Sequence, residues 1–188
     1  MPRGDAKLPV EARRGDPAAF ADLFARHEAD LFRFTRYLAR EEDLAEELYQ
    51  ETWLRVARRL RACDEMRRDD FRKWLFTVAA NLFRDELRKR RIRRKVDGGS
   101  LDTETSTAGE RTAAKTPEIS EQIALREGLD RALGALSERQ RTAFLLVHAE
   151  GFKLREVATV LEVAEGTVKS MLHRAAAIMR EQLGEFRQ

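Results

Sequence analysis

Residues 97–116 consist of Gly, Ser, Thr, Ala and charged side chains, with Leu101 as the one exception. Such a stretch offers too little apolar surface to offset the entropy of ordering it, and reads as a flexible linker. On both sides of it apolar residues recur every three or four positions, the spacing of one-sided helices. Two units, each with its own core, are therefore expected. Residues 1–15 read as a flexible N-terminus, 16–96 as a helical bundle, 97–116 as the linker and 117–188 as a second helical domain. The expected fold class is all-α, with two small helical domains.

The helix starts are written in the sequence. Asp16-Pro17 and Thr116-Pro117 each place a capping residue before a proline at the first helical position. Ser137 with Gln140 three residues later has the spacing of a capping box. After Pro17, Phe20, Leu23, Phe24, Leu31, Phe34 and Leu38 form one stripe. Leu44, Leu48, Val56 and Leu60 mark a second helix, over about 42–61. A polar break at residues 64–70 precedes a third helix beginning near Phe71. Its stripe Phe71, Trp74, Leu75, Val78 and Leu82 is joined by a second, Phe76, Ala80, Phe83 and Leu87, so it is expected to be covered on two sides. Beyond the linker, Leu125, Leu129, Ala132, Leu133 and Leu136 are expected to face inward.

Composition removes several classes. Cys63 is the single cysteine in 188 residues, which excludes an internal disulfide or a thiolate zinc site and suits a reducing compartment. No apolar run approaches the roughly 20 residues needed to span a bilayer. The first 14 residues lack the apolar stretch of a secretory signal. His27, His148 and His173 have no metal-ligand spacing, and neither a phosphate-cradling Gly-rich loop nor a nucleophile–base pair is present. Catalysis, a metal or another cofactor is not expected, and the expected compartment is the cytoplasm.

The net charge of +3 conceals strong segregation. Positions 41–54 hold six acids and no base: Glu41, Glu42, Asp43, Glu46, Glu47 and Glu51. Positions 72–95 hold ten bases against Asp85 and Glu86, a net of +8. The basic helix suits a nucleic-acid backbone, with Trp74, Phe76 and Phe83 either near bases or in the core. The acidic helix, with Tyr49 and Trp53, suits a basic protein surface.

The most specific local pattern lies between Phe152 and Met179. Leu154, Val157, Ala158 and Leu161 line a short helix; a tight connection at Glu162 and Val163 follows. A second helix then turns Val168, Leu172, Ala175 and Met179 inward. This is a helix-turn-helix arrangement, whose second helix enters the DNA major groove. At 100° per residue, Gly166, Ser170, His173, Arg174 and Ala177 face outward, flanked by Thr167 and Lys169. Small, hydroxylic and cationic side chains suit phosphates and base edges.

Together these segments resemble an extracytoplasmic-function (ECF) sigma factor of bacterial RNA polymerase. The resemblance is carried by the run from Asp43 to Val56 (DLAEELYQETWLRV), by Trp74 to Leu82 (WLFTVAANL) with Asp85, Arg88 and the basic run behind, and by Leu136 to Arg141 (LSERQR), Glu156-Val157-Ala158 and Gly166 to Ser170 (GTVKS). It covers the chain outside its first residues and the linker.

The resemblance implies that residues 16–96 bind core RNA polymerase and the −10 promoter element, and that 117–188 bind the −35 element. The implied polymerase contacts are Asp43, Glu46, Glu47, Gln50, Glu51 and Trp53. Those to the melted −10 strand are Arg67, Arg68, Lys73, Trp74, Asn81, Arg84 and Arg88. Those to the −35 duplex are Arg139, Arg141, Lys153, Arg155, Gly166, Thr167, Lys169, Ser170, His173 and Arg174. Implied partners are core polymerase, promoter DNA and an anti-sigma factor, without membrane insertion. Met171 and Ala176 stand where the family usually has Arg, which removes phosphate contacts and shifts the −35 preference. Trp53 stands where Phe is commoner.

The rival reading is a LuxR-type helix-turn-helix regulator, since positions 136–174 also resemble that output domain. Such regulators carry a strand-containing receiver or ligand-binding domain, whereas residues 16–96 are helical in period and lack β-branched runs.

Overall fold

The computed structural model describes residues 8–60, 68–96 and 117–184. Among these there are α1 (Leu8–Arg13), α2 (Pro17–Ala39), α3 (Glu42–Leu60), α4 (Arg68–Val96), α5 (Pro117–Gly134), α6 (Glu138–Phe144), a π-helical turn (Leu145–Ala149), α7 (Leu154–Leu161) and α8 (Glu165–Gly184), and no strand. The linker and Cys63 lie outside the described residues.

The caps expected at Asp16 and Ser137 form, and Thr116 lies outside the described residues. Asp16 accepts from the amides of Ala18 at 2.9 Å and Ala19 at 3.4 Å, so α2 starts at Pro17. The Ser137 amide donates to Gln140 Oε1 at 3.0 Å and the Gln140 amide to Ser137 Oγ at 3.4 Å, a reciprocal pair that starts α6.

The first unit packs α2 against α3, with α4 across both. Phe34 meets Phe76 edge-on at 5.1 Å, and Phe71, Leu75 and Phe76 are fully enclosed. Burying each such side chain contributes about 1.5–3 kcal/mol. Residues 1–15 are not all a flexible leader: Leu8–Arg13 forms a helical turn whose Leu8 is fully buried and Ala12 nearly so. Leu8 and Ala12, four apart, share one face, and α1 lays it on α2.

In the second unit α8 runs under α5, α6 and α7. Ala132, Leu133 and Leu136 are buried as expected, but Leu125 is 70% exposed, so the inward stripe of α5 is buried only towards its C-terminal end. The π-helical turn has no signature in the apolar pattern; it lets Glu150 N bond back to Leu145 O at 3.1 Å before the chain turns at Gly151 (φ 70°).

The two units touch. α4 is in contact with α7, and α2 with α6. Phe76, of the second stripe of α4, packs on Phe34 of α2.

Candidate nucleic-acid interface

The corner between α7 and α8 is made at Glu162, a non-glycine residue in left-handed backbone (φ 55°, ψ 48°). Its amide and that of Val163 return to carbonyls at the end of α7. Val168 and Ala175 are fully buried and Met179 nearly so, which orients α8. Gly166, Thr167, Lys169, Ser170, His173 and Arg174 are then all exposed on one side, as the helical arithmetic expects. Ser170 Oγ donates to Gly166 O at 3.0 Å and Arg174 Nε to Ser170 O at 3.4 Å, so both side chains rest along the helix. Arg139, Lys153 and Arg155 are exposed as well.

Arg141 departs from the expected surface position. It is 6% exposed, with Nε and Nη1 buried and unpartnered. Burial, with repulsion from Arg40 of α2, lowers its pKa to about 10. The physical reason is the packing of α2 on α6: Arg40, at the end of α2, donates through Nη1 to Gly134 O at 3.3 Å and covers this flank.

On α4 the basic side chains are largely engaged. Lys73 Nζ lies 2.8 Å from Glu156 Oε1. Arg84 donates to Val160 O at 2.8 Å and to Glu162 Oε1 at 3.0 Å. Arg88 is exposed. Trp74 is half-buried beside Phe71, ring centroids 6.1 Å apart, and Asn81 is half-buried with Oδ1 enclosed and unpartnered. Arg68 is the first residue of α4, so the helix begins inside the expected polar break; Arg67 lies outside the described residues.

The acidic face belongs to α3. Asp43, Glu46, Glu47 and Gln50 are exposed, and Glu51 pairs with Arg55 at 3.0 Å. Glu42 and Asp43 in the first turn also match the positive end of the helix. Trp53 is not on this face. It is 7% exposed, 4.7 Å from Phe24 and 6.2 Å from Phe20 between ring centroids, because its position on α3 points it back at α2. Leu54, which the apolar stripes had left out, is 50% exposed and lies within 20° of Glu47 around the helix axis, seven residues on.

Sequence reasoning also missed Arg72 and Glu150. Arg72 Nη2 lies 2.6 Å from Glu150 Oε2 and Nη1 donates to Glu150 O at 2.7 Å, while its guanidinium sits 5.0 Å from the Phe76 ring centre. Glu150 is 5% exposed; burial pushes its carboxyl up to about 7 despite Arg72. Glu150, Glu156 and Glu162, spaced six apart, all face α4, a regularity that was visible but fits no helical period.

Residues 23–93 match the family described as Sigma-70 region 2, and residues 126–179 match Sigma-70 region 4. The RNA polymerase sigma factor CarQ of Myxococcus xanthus is 35% identical over 174 residues, spanning 93% of this chain and 94% of that protein. The ECF RNA polymerase sigma factor SigL of Mycobacterium tuberculosis is 35% identical over 180 residues, with the same coverage. Among solved structures, the sigma factor RpoE in complex with the anti-sigma factor NepR from Bartonella quintana aligns with a TM-score of 0.66 at 27% identity, over 88% of this chain and 96% of that one. CnrH, solved with the cytosolic domain of CnrY, aligns at 0.64 and 23% identity, over 97% and 99%.

Proposed function

Because the chain belongs to the extracytoplasmic-function sigma factors of bacterial RNA polymerase, we propose that its division of labour follows its division of charge. The α3 face of Asp43, Glu46, Glu47, Gln50 and Glu51, with Leu54 among them, meets core polymerase. Acids there match a basic partner, and an exposed leucine adds apolar contact at the centre of a polar rim. The N-terminal half of α8, with Arg139, Lys153 and Arg155 nearby, reads the −35 duplex in the major groove. Lys73, Trp74, Asn81, Arg84 and Arg88 on α4 take the −10 strand once it is unpaired.

The observation that carries this reading is the single exposed face formed by Gly166, Thr167, Lys169, Ser170, His173 and Arg174 after the Glu162 corner. Strand separation is then driven by binding energy, and the chain performs no catalysis and needs no nucleotide or metal. Its place of action is the bacterial cytoplasm, and among the described residues no helix is long and apolar enough to cross a membrane. An anti-sigma factor is a further proposed partner, since the RpoE relative was solved with one.

Run-off transcription with purified core polymerase on a library of promoter sequences tests the reading. Discrete starts that require the added chain are expected. Absence of any start, with the polymerase active alongside another sigma factor, would overturn it.

A further inference from the structure

Arg141 of α6 carries a positive charge into the interior. It is 6% exposed, and its Nε and Nη1 are enclosed with no hydrogen-bond partner among the described residues. Even drawn down to about 10, the group stays protonated at neutral pH, so the charge is permanent there. An unpaired buried charge is among the costliest groups a fold can hold. Glu138, exposed on the same helix, opposes the burial only in part. Asp130 of α5 acts on Arg36, Arg40 and Arg126 rather than on Arg141.

The second cation at this place is Arg40, which ends α2 in left-handed backbone (φ 67°) and lies close enough to repel Arg141. Its Nη1 donates to Gly134 O at 3.3 Å. A Cβ at Gly134 would stand 2.5 Å from Arg40 Nη2 and 2.7 Å from its Cζ. Gly134 is the last residue of α5 and has no positive φ, so alanine would suit the helix better. The missing side chain is what leaves room for the guanidinium to lie on the end of α5. Arg40 is thus seated beside a second guanidinium that has no acceptor. Two forks of N–H donors that repel each other are matched by an ion with several oxygens sharing negative charge.

We propose that Arg40, Arg141 and the seat at Gly134 form a binding site for a small phosphate-type oxyanion, held by both guanidiniums between the end of α2 and α6. Enclosure of Arg141 sets the size of the ligand: free phosphate ions, or the phosphate tail of a nucleotide, fit where a nucleic-acid strand does not reach. Arg40 is exposed, which gives the ion its way in. The site goes beyond the sigma reading and uses no residue assigned above to promoter or polymerase under the proposed function.

The test titrates the intact chain with inorganic pyrophosphate at constant ionic strength in chloride, followed by calorimetry and by the thermal midpoint. Saturable binding of about one ion per chain and a rising midpoint are expected. Arg40→Gln is expected to weaken binding about tenfold or more, the loss of a charge-assisted hydrogen-bonded partner. Gly134→Ala keeps every charge and is expected to weaken binding several-fold, because the methyl group displaces the guanidinium. Arg141→Met is expected to abolish binding and, in phosphate-free buffer, to raise the midpoint by removing an unpaired buried charge. An arginine that merely supported the fold would give the opposite sign. Arg91→Gln/Arg94→Gln removes two exposed cations from the end of α4 and is expected to bind as the parent does. Nucleoside diphosphate in place of pyrophosphate separates the sources: equal affinity assigns the site to a nucleotide tail, and pyrophosphate binding alone assigns it to the free ion.

A parent chain that binds no pyrophosphate saturably overturns the site. So does binding that Arg40→Gln and Gly134→Ala leave unchanged, or an equal loss in the α4 variant, which would mark general attraction to a basic surface.

Discussion

Arg72 grips Glu150 at two points, carboxylate and backbone carbonyl, at 2.6 and 2.7 Å, and still does not hold the carboxyl in its ordinary range. Burial dominates, Asp30 of α2 reinforces it, and Arg72 and Arg33 only partly oppose it, leaving a value of about 7. The folded chain therefore keeps a proton on Glu150 where the unfolded chain has lost it. The stabilisation linked to this group is complete below the normal carboxylate range and is lost as pH rises through about 7. The thermal midpoint of the intact chain should fall between pH 5 and pH 8, by an amount on the order of 2 kcal/mol in stability. Glu150→Gln should flatten that slope, and an unchanged slope by calorimetry would remove Glu150 as its source.

Charge reversal of Glu46, Glu47 and Glu51 to Lys should abolish association with core polymerase. Among the described residues only Glu51 has an ion pair to lose, with Arg55, and exposed pairs of that kind contribute about 0.3–0.5 kcal/mol. Circular dichroism should thus stay helical while co-elution with polymerase disappears. Retained co-elution would take the polymerase contact away from α3.

Leu54→Ala offers a milder probe of the same face. Half-exposed and outside the core, it should leave the melting temperature within a degree or two and weaken polymerase binding several-fold in a titration.

Replacement of Ser170, His173 and Arg174 by Ala should cost promoter selectivity more than polymerase affinity. Their hydrogen bonds run along α8 and are not needed to hold it, and a good base contact is worth about 1–3 kcal/mol. A selection on randomised −35 sequences should return a broader set than the parent chain does.

Trp53→Ala should unfold rather than unbind. Loss of a buried indole packed on Phe20 and Phe24 costs about 3–5 kcal/mol, and Trp53→Phe considerably less. Chemical denaturation measures the first effect, and polymerase affinity measured where the variant is still folded should be unchanged.

What could be read from residues alone followed the range of the interactions. Asp16-Pro17 and the Ser137–Gln140 pair act within three positions, and both helix starts fell where expected. The outward face of α8 followed from helical period alone. Trp53 was misjudged because a large aromatic amid acids looks like a surface anchor until α2 is seen to lie over it. Leu8 and Ala12 were missed because six helical residues give too little period to detect. Arg72–Glu150, 78 positions apart, and the burial of Arg141 depend on how two units meet, which no local pattern encodes. The family resemblance supplied the sigma assignment, which the similarity of both units to sigma-70 regions supports.

At the α7–α8 corner, left-handed backbone favours glycine, and an ordinary side chain there costs about 1 kcal/mol. Glu162 occupies it nonetheless, and its carboxylate reaches Arg84. Local preference and long-range contact thus disagree at one residue, a point of frustration inside an otherwise consistent helical sequence. Position 162 thus couples the shape of the corner to one of the two contacts of Arg84, the other being the carbonyl of Val160, so a change there alters the backbone of the turn and a long-range ion pair together.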